Sequence, residues 1–314
     1  IVRKASNLSK QSHILAANVD LALLVVTMAR PETSTTFIDR FLASAEAYRV
    51  PTALVFNKMD DLSEEERERA DYLMAIYSNI GYTCYAVSAL NGDGIDALTR
   101  DMQGRICLLA GHSGVGKSTL LNRLVPEAHA KTAQVSEAHG TGMHTTTFSE
   151  LFDLPGEGGG SVIDIPGIKG FGTFNMEREE VAHFFRDIFK LSANCRFGNC
   201  THTHEPGCAV LEALENHQLA PTRYASYLSV VFKIAGPLRG AVNVHSWCEH
   251  KVETAGPPFR GIHLTDAVSQ VAVPRGGHRQ GGGESRGASP KSPRSHAERA
   301  VGQAEGWDAE AGAG

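Results

Sequence analysis

The chain has 314 residues, 42% of them hydrophobic and 21% charged, with a formal net charge of -5. That length is enough for about two domains with buried cores, and the near balance of charge excludes a partner recruited by bulk electrostatics alone. The longest apolar run, Val19 to Ala29, carries Asp20 and falls short of the roughly 20 apolar residues that cross a bilayer, so no membrane partner is expected. No charged-then-apolar leader follows Ile1, so none of the export type is expected either.

Short apolar runs alternate with amphipathic stretches from Val19 to Val125, which predicts an α/β domain with a parallel sheet and helices on both faces. The expected strands are Leu21 to Val26, Thr52 to Phe56, Thr83 to Val87 and Arg105 to Ala110. Helices are expected over Ser34 to Arg49 and Ser63 to Asn79, the second opened by Ser63 and Glu66 at capping-box spacing. An apolar helix at Thr119 to Leu124 follows. Strands near Phe148 to Asp153 and Ser161 to Asp164 flank a hairpin loop at Pro155 to Gly160. Helical spacing returns at Arg178 to Leu191, Val210 to Asn216 and Thr222 to Val230. From about residue 232 Gly, Pro, Ser, Arg and His dominate, and disorder is expected from roughly 255 onward.

The sharpest motif is Gly111-His112-Ser113-Gly114-Val115-Gly116-Lys117-Ser118, followed by Thr119, after one predicted strand and before a predicted helix. That context is the one a phosphate-binding loop requires. Inward-turned backbone N–H groups and a helix N-terminus hold phosphate oxygens, Lys117 reaches the β and γ oxygens, and Ser118 ligates magnesium. The base is read by Asn57-Lys58-Met59-Asp60 at the end of a buried strand. Asp60 can accept from both the ring N–H and the exocyclic amino group of guanine, a pair of donors adenine lacks. Asn57 suits the purine N7 and Lys58 the ring face. Ser88-Ala89-Leu90, also after a strand, can offer a backbone N–H to the guanine carbonyl.

Asp164-Ile165-Pro166-Gly167 supplies a carboxylate for the magnesium shell and a glycine N–H for the γ-phosphate. The stretch from Gly140 to Thr147 is rich in hydroxyls and occupies the expected place of a first switch. Thr146 is favoured as its magnesium ligand, with Thr145 and Thr147 as alternatives. Ras-type enzymes position the attacking water with a glutamine just after the second-switch glycine. Here Ile168 stands there, so slow intrinsic turnover is expected. His144 is the internal candidate for orienting water; capping a turn is its alternative role. GTP and GDP are the expected ligands, and base-reading motifs precede phosphate motifs, a circularly permuted order that keeps all loops at one sheet edge.

The six cysteines stand at 84, 107, 195, 200, 208 and 248. Cys195, Cys200, His202 and Cys208 form a tetrahedral donor set suited to one structural zinc, with His204 as the rival imidazole. Cys84 and Cys107 lie in predicted strands and read as core.

Permuted motifs followed by this cysteine cluster resemble the ribosome small subunit-dependent GTPase A family (RsgA, also called YjeQ). The matching text is RKASNLSKQ at 3 to 11, AANVD at 16 to 20, NKMD, GHSGVGKSTLLN, HTTT and CRFGNCTHTHEPGCAV at 195 to 210. The resemblance spans residues 1 to about 230. It implies a cytoplasmic, monomeric bacterial GTPase with zinc and magnesium that binds the small ribosomal subunit and its rRNA late in maturation, its hydrolysis stimulated by that subunit. Family members carry an N-terminal OB-fold domain, and residues 1–11 are read as the remnant of a linker from it. The rest is read as a GTPase domain over 12–190, a zinc-binding helical module over 191–232 and a low-complexity tail over 233–314. Met143 and Ile165 depart from the family's usual residues, and neither removes a named ligand. A nucleotide-dependent binding switch and an inactive fragment are the competing readings.

Overall fold

The computed structural model describes residues 2–4, 12–14, 16–128, 150–165 and 176–235. Strands β1 (Val2–Lys4) and β2 (Ser12–Ile14) pair antiparallel, Val2 opposite Ile14. Residues read as a bare linker thus contribute a strand.

In β3 (Leu21–Val26), Ala22, Leu24 and Val26 enter one buried cluster while Leu21, Leu23 and Val25 enter another. This is the period-2 signature of a strand covered on both faces. Parallel to it on either side run β4 (Thr52–Phe56) and β6 (Ile106–Gly111). Outside them lie β5 (Thr83–Ala86), parallel to β4, and β8 (Ser161–Asp164), parallel to β6. The edge strand β7 (Glu150–Asp153) is antiparallel to β8, giving the order β5-β4-β3-β6-β8-β7.

One face is covered by α1 (Thr35–Ala47) and α2 (Glu64–Ile80), whose Phe41, Leu42, Leu73 and Tyr77 pack with Leu24 and Leu54. The other is covered by α3 (Ile95–Met102) and α4 (Lys117–Leu124), through Leu98, Met102, Leu120 and Leu121 against Leu23 and Val55. The expected capping box at the start of α2 is present in both directions, Ser63 with Glu66. Helix α3 lacks a sequence expectation. It is short and follows Gly92-Asp93-Gly94, turn residues that mask the brief apolar stripe behind them.

The helix expected over Arg178 to Leu191 is two pieces: a 3-10 segment Arg178–Phe184 and α5 (Arg186–Ser192). They part at Phe185, whose backbone is extended and whose ring is fully buried, edge-on to Tyr227 at 5.6 Å. Burial of that ring outweighs continuity of the helical ladder. Together with α6 (Ala209–Glu215) and α7 (Pro221–Ala235), these pieces enclose a third cluster of Val181, Phe185, Ile188, Val210, Leu214 and Tyr227. Ala43 of α1 also belongs to it, so α1 is buried on opposite sides.

A polar seam crosses that contact. Arg223 of α7 donates Nη1 to Asp39 of α1 at 2.6 Å, and Nε and Nη2 to Asp187 of α5 at 2.9 and 2.7 Å. Tyr77 of α2 donates to the same Asp39 at 2.8 Å. The low-complexity stretch expected from 233 lies almost wholly outside the described residues, α7 alone running into it as far as Ala235.

Candidate functional site: loops at one edge of the sheet

Strands β3, β4, β5, β6 and β8 are mutually parallel, so the loops leaving their C-terminal ends share one edge, whichever comes first in the chain. This edge of an open α/β sheet is where ligands bind.

After β4, the Asn57 N–H donates to Val26 O at 2.9 Å and Met59 N–H to Val87 O at 3.2 Å. These bonds tie the loop to both neighbouring strand ends. Lys58 takes a left-handed backbone, φ 63°, into the 3-10 turn Met59–Asp61. Its ammonium donates to Arg30 O at 2.6 Å, while Arg30 Nε donates to Asp61 at 2.8 Å. Asp60 is exposed at the loop's tip and Met59 is buried beneath it.

Asn57 is almost wholly buried. Its carbonyl accepts from the Ala89 N–H at 3.0 Å and its amide donates to Val115 O at 2.9 Å. Sequence reasoning aims Asn57 at a purine nitrogen. In the fold its side chain first joins the loops after β4, β5 and β6, which leaves its second amide hydrogen for a ligand. Gly116 sits against this tie with φ 91°, and a Cβ there would stand 2.4 Å from Asn57 Nδ2. Only glycine satisfies both the backbone and the approach.

After β6, Lys117 and Ser118 occupy the first turn of α4, two residues ahead of the helix start expected from the apolar pattern. Lys117 is buried and donates to the carbonyls of Gly111 and His112 at 2.9 and 2.8 Å. Burial lowers its pKa, against the opposing pull of Asp164. Ser113, Gly114, Ser118 and Thr119 are exposed on the open side of the loop, and Val115 anchors it in the core. The His112 ring stacks on Phe37 of α1 at 3.7 Å.

Asp164 ends β8 with its Oδ1 buried and without a hydrogen-bond partner among the described residues. Burial pushes its pKa up to about 6; Lys117 opposes this and Glu150, its cross-strand neighbour, adds to it. An unpartnered buried carboxylate oxygen beside the phosphate loop fits a divalent cation. His144, Thr145, Thr146, Thr147, Gly167, Ile168 and Cys248 lie outside the described residues.

The donor atoms of Cys195, Cys200, His202 and Cys208 all lie within 4.8 Å of one another. Cys195 Sγ and Cys208 Sγ are each 3.5 Å from His202 Nδ1 and 4.0 Å apart. Zinc–sulfur bonds of about 2.3 Å in a tetrahedron imply edges of roughly 3.8 Å, so this Cys3His cluster is compatible with zinc. His204 instead meets Thr203 Oγ1 at 2.8 Å and is exposed. Tyr224 and Tyr227 of α7 donate to the carbonyls of His202 and Thr201 at 2.7 and 3.0 Å, which fixes the cluster on that helix. As for the two strand cysteines, Cys107 is buried and Cys84 half-buried.

The family model described as RsgA GTPase matches residues 1–174. The chain belongs to the RsgA GTPase family. It is 61% identical over 231 residues to the small ribosomal subunit biogenesis GTPase RsgA of Bacteroides fragilis, covering 74% of each chain. To the protein of that name from Porphyromonas gingivalis it is 59% identical over 232 residues, again 74% of each. Among solved structures it is similar to YjeQ from Thermotoga maritima, 38% identical with TM-score 0.59, over 70% of this chain and 73% of that one. It is also similar to YloQ, a circularly permuted GTPase, 32% identical with TM-score 0.57 over 71% of each. The fold is thus a circularly permuted GTPase domain with a Cys3His cluster beyond it, and the chain is a GTP hydrolase of this family.

Sequence reasoning missed the brace supplied by Arg30, the stack of His112 on Phe37 and the seam at Arg223. Each joins residues distant in the chain with ordinary side chains, so no local pattern marks them.

Proposed function

We propose that the chain hydrolyses GTP to GDP and phosphate in the late maturation of the small ribosomal subunit, and that binding to the subunit and its rRNA stimulates the reaction. The observation that carries the nucleotide reading is Asn57, which couples the Asp60 loop to the Lys117 loop across one sheet edge. Asp60 takes the two guanine donors, with Lys58 and Met59 shaping its loop and Ser88 and Ala89 the loop beside it. The backbone from Gly111 to Gly116 and the first turn of α4, through Thr119, cradle the phosphates, and Lys117 leaves its carbonyl partners for the β and γ oxygens. Gly167 adds an N–H at the γ-phosphate.

Magnesium bound with GTP neutralises charge on those oxygens; Ser118, Asp164 and Thr146 would hold it. Zinc held by Cys195, Cys200, His202 and Cys208 would serve stability, since metal binding and folding are coupled. With Ile168 unable to orient water, His144 takes that task once the subunit organises the first switch. The ribosomal role draws on the relatives' names, and the cytoplasm, a monomeric state and the division at 12–190, 191–232 and 233–314 belong to the same reading.

The test is phosphate release by the full chain with and without purified small subunits. Stimulation of wild type and its loss in His144→Ala, with GTP binding intact, is the expected outcome; equal rates throughout would leave a binding switch. A preference for GTP over ATP left undiminished by Asp60→Ala would overturn the role of Asp60 in reading the base.

A further inference from the structure

The loop after β5 is held from behind by the helix that follows the phosphate loop. Arg123, in the last turn of α4, donates Nε to the Ala89 carbonyl at 3.3 Å and Nη2 to the Leu90 carbonyl. Its guanidinium lies against Gly92, where a Cβ would stand 3.7 Å from Arg123 Cζ.

A planar trans peptide points its C=O and the following N–H in opposite directions. Holding the Ala89 carbonyl therefore turns the Leu90 N–H away from Arg123. The neighbours of Leu90 on either side have internal acceptors for their N–H groups: Ser88 to Asp93 O, Ala89 to Asn57 Oδ1, Asn91 to Ser88 Oγ and Gly92 to Ser88 O. Leu90 has no acceptor among the described residues, and it is 70% exposed. Within the Ser88–Gly92 turn this donor is left over, on a loop fastened at one end to Asn57 and at the other to the helix that carries Lys117.

We propose that Arg123 is a positioning residue for base selection: it orients the peptide between Ala89 and Leu90 so that the Leu90 N–H meets the C6 carbonyl of guanine. An N–H donor pairs with that carbonyl and faces an amino donor at C6 of adenine, so the orientation selects between the bases. This inference rests on the nucleotide reading above. It gives the phosphate helix a second task, because movement of α4 also moves the base loop.

The test uses the full chain and competition against a fluorescent GDP derivative by three nucleotides. GTP has both recognition groups, ITP keeps the C6 carbonyl without the 2-amino group, and 2-aminopurine riboside triphosphate keeps the amino group without the carbonyl. Arg123→Ala is expected to lower the preference for GTP over the 2-aminopurine compound by about fivefold, the scale of one oriented hydrogen bond. Its preference for GTP over ITP should stay unchanged, and Arg123→Lys should restore part of the loss. Asp60→Ala should lower the preference for GTP over ITP, the ratio that Arg123→Ala leaves unchanged. A uniform loss across all three nucleotides, or an unchanged ratio for the 2-aminopurine compound, would overturn the role of Arg123. Wild-type protein without preference for GTP over either analogue would instead reject the guanine reading, and this inference with it.

Discussion

Asp164 shows how burial shifts the protonation of one group. An acid whose pKa rises from 3.8 to about 6 on folding holds its proton more tightly in the folded state. Its contribution to stability therefore falls as pH climbs from the unfolded value through about 6. A metal that must displace the proton follows the opposite trend and binds better as pH rises through that value. Strengthening of GTP binding by magnesium should be full above pH 6 and fade below it, and Asp164→Asn should remove both the gain and its pH dependence. Titrations on either side of pH 6 read this directly, and a flat profile in wild type would reject the ligand role. At Asn57 the expected loss is larger than one contact to the base. Asn57→Ala strips partners from Val115 O and the Ala89 N–H together, so GTP affinity should fall by at least about tenfold. An effect confined to the base, leaving inorganic phosphate inhibition unchanged, would argue against the tie.

Helix α1 is the element on which the two halves of the described structure meet. It packs Phe41 on the sheet, Ala43 on the third cluster and Phe37 on the phosphate-loop histidine, and buries Asp39 against Arg223. Removing the arginine leaves Asp39, fully buried, and the partly buried Asp187 without their countercharge. Arg223→Met should therefore cost about 3–5 kcal/mol of stability, the scale for breaking a buried ion pair, measured by denaturant unfolding. Asp39→Asn, which keeps a hydrogen-bonding oxygen for Arg223 and Tyr77, should cost less. Equal and small losses would show that water solvates the seam. At this scale much of the fold was legible in the sequence: Leu21–Val26, Thr52–Phe56 and Ser161–Asp164 follow from apolar runs bounded by turn residues, and α2 from its capping box. The break at Phe185 was not, because the apolar spacing continues through it and only the partner ring of Tyr227 explains why the backbone leaves the helix.

For the molecule as a whole, Tyr224 and Tyr227 tie the loop that carries the cysteine cluster to α7, and Arg223 ties α7 to α1. A strong zinc chelator, or Cys208→Ser without one, should lower the melting temperature and release metal in step; folded protein free of zinc would end the assignment. Reading along the chain is enough to mark what lives within a few residues: the Gly111–Ser118 loop between strand and helix, the Asn57–Asp60 tetrapeptide after a buried strand, the Cys3His donors and the permuted order. The parallel pattern also implied that these loops share an edge. How the loops are fastened to one another emerges from the packing alone. Asn57 reaches Val115 across 58 residues, Arg123 reaches Ala89 across 34, and Arg223 reaches Asp39 across 184. Local patterns follow from backbone periodicity and short-range capping, which a stretch of sequence carries within itself. Such long-range pairs exist only after packing has placed two distant segments side by side, and nothing in either segment names the other.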